Sequence, residues 1–312
     1  MAEIVLGHAS VVPPAQPRAR IHAVRQAITG LSLATPALVL ILVLLIGPVL
    51  AVLVMSLTDY QLGATSWAFI GLENYGHLLA DRVFWKALGN TLLYVAIVVP
   101  GSVALGLGIA LLIEAGGSLK AFYRAIFFIP VMATMIAMAI SWEFMLHAQF
   151  GLINLTLKSL GFTPRAWLAE PDLALPTLAM IGLWQGFGFN MVLFLAGLVS
   201  IPRHLYDAAE MDGARTAFDR FRLVTWPMLG PVTMFVLIIS AIRSFQVFDT
   251  VHVLTKGGPS KASEVLLYSM YSEGFEFFRS GLAAAIGVVF LVFVLALTLL
   301  KARVIEKKVH YA

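Results

Sequence analysis

Two sets of polar residues stand out because their surroundings are apolar. Gln185 and Asn190 lie inside the uncharged run Leu173–Ile201, and Ser240, Arg243 and Ser244 stand at the end of the run Leu223–Ile242. The last three fall at i, i+3 and i+4, which puts them on one face of a helix. Amide, hydroxyl and guanidinium groups donate hydrogen bonds, so the chemistry on offer is binding rather than bond breaking. Polar side chains at membrane depth face the interior of a bundle or a water-filled cavity. Two readings are open. Either these groups line a ligand path, or they tie helices together while Arg243 reaches for the interface.

A second segment has a different character. The stretch Ser200-Ile-Pro-Arg-His-Leu-Tyr-Asp-Ala-Ala-Glu-Met-Asp-Gly-Ala-Arg-Thr-Ala-Phe-Asp-Arg-Phe-Arg-Leu-Val-Thr-Trp-Pro227 is charged and amphipathic. Pro202 suits a first helical turn. Leu205, Ala208, Ala209 and Met211 recur at roughly helical spacing, and Gly213 is a helix stop. Arg215, Phe218, Phe221, Arg222 and Val224 start a second amphipathic stretch. Helix, glycine turn and second helix form a docking knob for a soluble partner. An interfacial loop with no partner fits the same periodicity.

Other chemistries find no support in the residues. There is no G-x-x-x-x-G-K-[ST] phosphate loop, so ATP is not expected to bind this chain by that route. The chain has no cysteine, and its 7 histidines lack metal-ligand spacing. No catalytic residues, metal ligands or cofactor are expected. The net charge of +4 is dispersed along the chain and gives no face for nucleic acid. Inside the apolar runs there is no carboxylate for ion-coupled transport; Glu143 borders one of them. Gly106-Leu-Gly108 and Gly186-Phe-Gly188 are read as close-packing sites rather than phosphate sites.

The elements that position these groups follow from composition. Of the 312 residues 60% are hydrophobic and 12% charged, against about 25% charged in soluble domains. Six runs match the ~20 apolar residues a spanning helix needs: Thr35–Leu57, Ala87–Ile113, Ala125–Trp142, Leu173–Ile201, Leu223–Ile242 and Ser280–Leu300. They are apolar all round rather than alternating, which favours helices over a barrel. Pro48, Pro100, Pro130 and Pro176 should kink or end them locally. The expected fold class is therefore all-α integral membrane. Residues 1–30 read as a flexible N-terminal tail, residues 31–302 as the six-helix domain with its loop at about 200–227, and residues 303–312 as a C-terminal tail.

Lysine and arginine counts set the orientation. The N-terminal tail, the connections after helices two and four, and the C-terminal tail carry 13 of them; the other three connections carry 8. The richer side is expected to be cytoplasmic. With an even number of crossings, both termini lie there.

The run Asp207-Ala-Ala-Glu-Met-Asp-Gly-Ala214, followed by Phe221-x-x-Val224-x-x-Pro227, resembles the "EAA" loop of bacterial ABC-importer permeases. The motif positions are Asp207, Ala208, Ala209, Asp212, Gly213, Ala214, Phe221 and Pro227. Asp207 stands where the family has Glu, and Val224 where it has Ile. The resemblance implies that this loop inserts into a groove of an ATPase subunit. Phe69-Ile-Gly-Leu-Glu-Asn-Tyr75 and Leu254-Thr-Lys-Gly-Gly-Pro259 resemble the carbohydrate (maltose-type) branch, specifically its larger permease subunit without that subunit's extra helices and external domain.

That resemblance implies a type I ABC-importer permease in a bacterial or archaeal cytoplasmic membrane. Its implied partners are a second homologous permease, two ATPase subunits that bind ATP and Mg, an external solute-binding protein and membrane lipid. It also implies a sugar site. The family's contacting positions fall on Gly182, Gln185, Gly186, Phe189, Ser240, Arg243, Ser244 and Val247.

Overall fold

The computed structural model describes residues 17–308 of the chain, which divide after Val52 into two compact units. In the first unit, α1 (Pro17–Leu40) continues through a π-helical stretch (Ile41–Ile46) into the start of α2 (Gly47–Met55). Residues 17–30, expected in the tail, are therefore helical, as are residues 303–308 at the other end. Residues 1–16 and 309–312 lie outside the described residues. Pro48 falls directly after the π stretch and does not end the helix.

In the second unit, α3 (Glu73–Ala80) is followed by the long α4 (Arg82–Ala115), α5 (Lys120–Met132), α6 (Met135–Met145) and α7 (Leu152–Ser159). Next come α8 (Pro171–Val199), α9 (Arg203–Met211), α10 (Ala217–Arg220), a π turn (Phe221–Thr225), α11 (Trp226–Met228) and α12 (Gly230–Phe245). The chain ends through α13 (Asp249–Leu254), α14 (Leu266–Tyr271), a π turn (Ser272–Glu276) and α15 (Ser280–Lys308).

Among the described residues, five stretches are long and apolar enough to cross a membrane: Ile28–Met55, Arg82–Ala115, Pro171–Val199, Gly230–Leu254 and Ser280–Leu299. The expected third span is not one helix. It is the pair α5 and α6, bent by 95° at Ala133–Thr134, and the six-span count holds when this pair is taken as one crossing. The bend has a local cause. Pro130 has no N–H to hold the preceding turn, and Ala133 and Thr134 are extended, with ψ near 141° and 138°. The fifth span starts later than the uncharged run suggests, because Leu223–Met228 belongs to the short helices that leave the loop. Pro100 and Pro176 sit inside α4 and α8 without ending them.

The core is built around α4 and α8. Gly106 on α4 faces Asn190: a Cβ there would lie 2.8 Å from the Asn190 Cβ and 3.0 Å from the Met191 nitrogen. Gly188 on α8 faces α5, where a Cβ would fall 2.2 Å from the Phe127 carbonyl oxygen. Since lipid gives helices no hydrophobic drive to associate, such close backbone contact supplies the attraction. Gly108 has open space around it and Gly186 touches only Ser102, so one glycine of each pair carries the packing.

The largest buried cluster joins the helices to the loop. Val103 and Ala110 of α4, with Met191 and Phe194 of α8, pack in one core with Ala209, Ala214 and Val224 of the loop. A second cluster, around Tyr94, Leu178, Val251 and Tyr268, packs α4 and α8 against α13 and α14.

Candidate functional site

Asn190 is 2% exposed and sits where α4, α8 and α12 meet. Its amide nitrogen donates to Ser102 Oγ at 3.1 Å, and its amide oxygen accepts from Ser240 Oγ at 3.0 Å. Ser102 in turn donates to the Val99 carbonyl at 3.3 Å. One side chain thus satisfies hydroxyls on two other helices. For Asn190 and Ser240 the helix-tying reading is realised, and the network stands in the wall of a cavity.

That cavity has a volume of about 310 Å³. Gly182, Gln185, Gly186, Ser240, Arg243, Ser244 and Val247 line it, seven of the eight positions that the resemblance implied. The eighth, Phe189, is absent from the wall but touches it: the Arg243 guanidinium carbon lies 4.5 Å from the centre of the Phe189 ring. A cation over an aromatic face is held there electrostatically. Arg243 is exposed and forms no ion pair among the described residues, with either Glu143 or Asp249.

Most of the residues that complete the wall had no individual signal in the sequence. Tyr94, 3% exposed, occupies the space a Cβ on Gly182 would need: that atom would fall 2.0 Å from the Tyr94 hydroxyl. Gln246, Asp249 and Thr250 follow Arg243 into the short α13. Val131 and Met135 come from the two sides of the α5–α6 bend. Pro130 was the one hint of them, since the bend carries the chain to the cavity. Trp142 of α6 meets Trp184 of α8 edge to face, with ring centres 5.4 Å apart, and braces α6 against α8.

The loop follows directly from α8. Pro202 caps α9 rather than opening it, and Arg203 is the first helical residue. At the other end Gly213 has φ +97°, a conformation that costs other residues ~1–2 kcal/mol. The Gly213 N–H donates to the Glu210 carbonyl at 3.1 Å, and the Ala214 N–H to the Ala209 carbonyl at 2.9 Å. These are the two bonds of a Schellman stop. Ala209 and Ala214, the apolar pair that accompanies it, are buried.

The return arm is fixed with equal care. Thr216 and Asp219 form a reciprocal capping box at the start of α10. The hydroxyl and backbone N–H of Thr216 both donate to Asp219 and hold its carboxyl below the usual carboxylate range. Tyr206 Oη and Thr225 Oγ1, 3.0 Å apart, tie the two arms together.

The motif residues divide by exposure. Asp207, Ala208, Asp212, Gly213 and Pro227 are exposed, Ala209 and Ala214 are buried, and Phe221 is half-buried. Met211 at 88% and Phe218 at 69% exposure add apolar surface beside them.

Comparison with known proteins agrees with this architecture. Residues 102–311 match the family described as "Binding-protein-dependent transport system inner membrane component". The chain is 34% identical over 283 residues to the trehalose/maltose transport system permease protein MalF of Thermococcus litoralis, covering 90% of this chain and 94% of that one. It is 32% identical over 277 residues to the sulfoquinovosyl glycerol transport system permease protein SmoG of Agrobacterium fabrum, covering 88% and 90%. Among solved structures, a chain of a bacterial alginate ABC transporter, crystallised with an alginate pentasaccharide-bound periplasmic protein, superposes with a TM-score of 0.79 at 22% identity over 92% of this chain and 96% of that one. With this match at the level of fold, and the sequence matches at the level of family, the chain belongs to the binding-protein-dependent transport system inner membrane components, as an ABC-transporter permease of type I importer fold.

Proposed function

We propose that this chain forms half of the path by which an ATP-driven importer moves a sugar across the cytoplasmic membrane. The observation that carries the proposal is physical continuity. The polar cavity is walled by α8 and α12, and the α9–α10 loop that joins these two helices is packed into the same buried cluster as they are. A push on the loop is therefore a push on the cavity wall. Amides, hydroxyls and a guanidinium beside aromatic rings suit a polyhydroxylated cargo. The names of the relatives, a trehalose/maltose permease and a sulfoquinovosyl glycerol permease, point the same way.

In this reading a second homologous permease completes the path, and an external binding protein delivers the cargo. Two ATPase subunits bind ATP and Mg and receive the loops. Nucleotide-driven closure of the ATPases moves the loops, and the permease pair changes which side of the membrane it opens to. The chain itself performs no chemistry. The expected result is that the tagged protein, extracted in mild detergent, brings down a soluble ATPase in stoichiometric amount. The purified complex should then import a sugar into proteoliposomes only with ATP and binding protein present. Isolation without an ATPase, with uptake driven by an ion gradient, would sink the proposal.

The orientation is proposed from charge alone, with both termini and the loop in the cytoplasm. Because the chain has no cysteine, single cysteines report it cleanly. Those placed at Ala64, Ser159 and Ser260 should react with an impermeant thiol reagent from outside. Those at Ala15, Thr216 and Ala302 should react only after the membrane is opened. Labelling of position 260 from the cytoplasmic side alone would overturn the topology.

A further inference from the structure

Three features meet in the cavity that a neutral sugar does not require. The first is Arg243, whose guanidinium lies over Phe189 and pairs with no carboxylate among the described residues. The second is Thr250, which is 1% exposed and lies in the cavity wall, with its hydroxyl oxygen fully buried and without a hydrogen-bond partner. Buried hydroxyls are nearly always bonded, and a turn of the Thr250 side chain toward the cavity would give this one the partner it lacks. The third is the start of α6. This 11-residue helix begins at Met135, which lines the same cavity, and Thr134 gives it no side-chain cap. The first N–H groups of a helix have no intrahelical partner, and their dipole favours negative charge. Broken membrane helices that start at a cavity offer those groups to anions. The 95° bend at Ala133–Thr134 creates such a start in mid-span, and α6 packs against α13, which carries Thr250.

We infer that this cavity takes a carbohydrate bearing an oxyanion, a phosphate or a carboxylate, seated among Arg243, Thr250 and the N-terminus of α6. The inference rests on the reading of the cavity as the cargo path. Arg243 supplies a planar fork of donors that matches two oxygens of such a group. Asp249 is the one carboxylate in the same wall, at the first turn of α13. It is free to accept from sugar hydroxyls, and its charge keeps the oxyanion on the Arg243 side.

The test uses the assembled complex in nanodiscs with a single cysteine at Gln246, a cavity residue. The rate of its modification by a small uncharged thiol reagent is measured with inorganic phosphate, with glucuronate, and with glucose. Phosphate or glucuronate should slow modification strongly and glucose should not. The two anions, compared with each other, distinguish phosphate from carboxylate as the preferred group. Since a charged hydrogen-bonded contact contributes ~1.5–3 kcal/mol, Arg243→Gln should weaken that protection by roughly tenfold or more. Thr250→Val should weaken it by less, and Arg243→Lys should retain part of it. Equal protection by all three compounds overturns the oxyanion inference and leaves the cavity as a sugar site. Protection by none of them overturns the inference, and a cysteine that cannot be modified at all overturns the cargo path with it.

Discussion

Proline at position 213 is expected to abolish ATP-driven uptake while the protein still inserts and folds its membrane core. Gly213 has φ +97°, whereas proline fixes φ near −65°. The substitution also removes the N–H that donates to the Glu210 carbonyl. A proline forced into such a position costs about 3 kcal/mol or more, which lowers the population of the native turn by on the order of a hundredfold. Space is not the issue, because a Cβ on Gly213 would meet nothing within 4 Å. Gly213→Ala therefore isolates the conformational cost of ~1–2 kcal/mol and should give an intermediate loss.

The consequence spreads because the turn is anchored. Ala214 follows Gly213 directly and is buried in the cluster that holds Met191 and Phe194 of α8. Losing the turn pulls that anchor out and frees α9 from the helices it is meant to move. Asp207→Lys attacks the same step from the outside, by reversing an exposed charge on α9 next to the exposed Ala208. Both variants should keep an ATPase bound in reduced amount, with ATP hydrolysis no longer stimulated by loaded binding protein. Wild-type stimulation and uptake in both would remove the loop from the coupling path.

What the sequence made legible depended on how local the physics was. The Gly213 turn was readable because a Schellman stop is written in consecutive residues. The polar face of Ser240, Arg243 and Ser244 was readable because helical spacing fixes it. The broken third span was readable only as a local kink at Pro130, not as a 95° bend. Ala125–Trp142 is apolar throughout, and hydropathy counts residues without registering that Ala133 and Thr134 turn extended after Pro130. Tyr94 and Thr250 were invisible for another reason. Their roles come from residues far along the chain: Gly182, which leaves room for the Tyr94 hydroxyl, and the helix break at 133–134, which faces the same cavity as Thr250. Gln185 and Asn190 looked equivalent in sequence, yet Asn190 is consumed in bonds between helices while Gln185 is half-buried in the cavity wall. Only the facing helices decide between them.

That difference gives the second large expected effect. Asn190→Leu keeps the approximate size of the side chain and removes both bonds, leaving the Ser102 and Ser240 hydroxyls without their shared partner. In membranes such interhelical bonds contribute ~0.6–2 kcal/mol, so the protein should still assemble, with a somewhat lower thermal midpoint. Uptake should suffer more than stability, because the amide sets the spacing of α4, α8 and α12 beside Gly186 and Ser244. Asn190→Asp should be worse than Asn190→Leu. It places a carboxylate at a 2% exposed position between two hydroxyls, and an ionised group at membrane depth costs about 2.5–3.5 kcal/mol even on the lower scales. Ser102→Ala and Ser240→Ala each remove one bond and should each cause a smaller loss than Asn190→Leu. Adding either serine change to Asn190→Leu should cost almost nothing further, since its bond is already gone. Uptake rates and thermal midpoints of these single and double variants, measured on the reconstituted complex, decide the matter. Strict additivity, or wild-type uptake by Asn190→Leu, would mean that the helices hold their spacing by packing alone, as where Gly106 of α4 meets the Phe187 and Met191 backbone of α8.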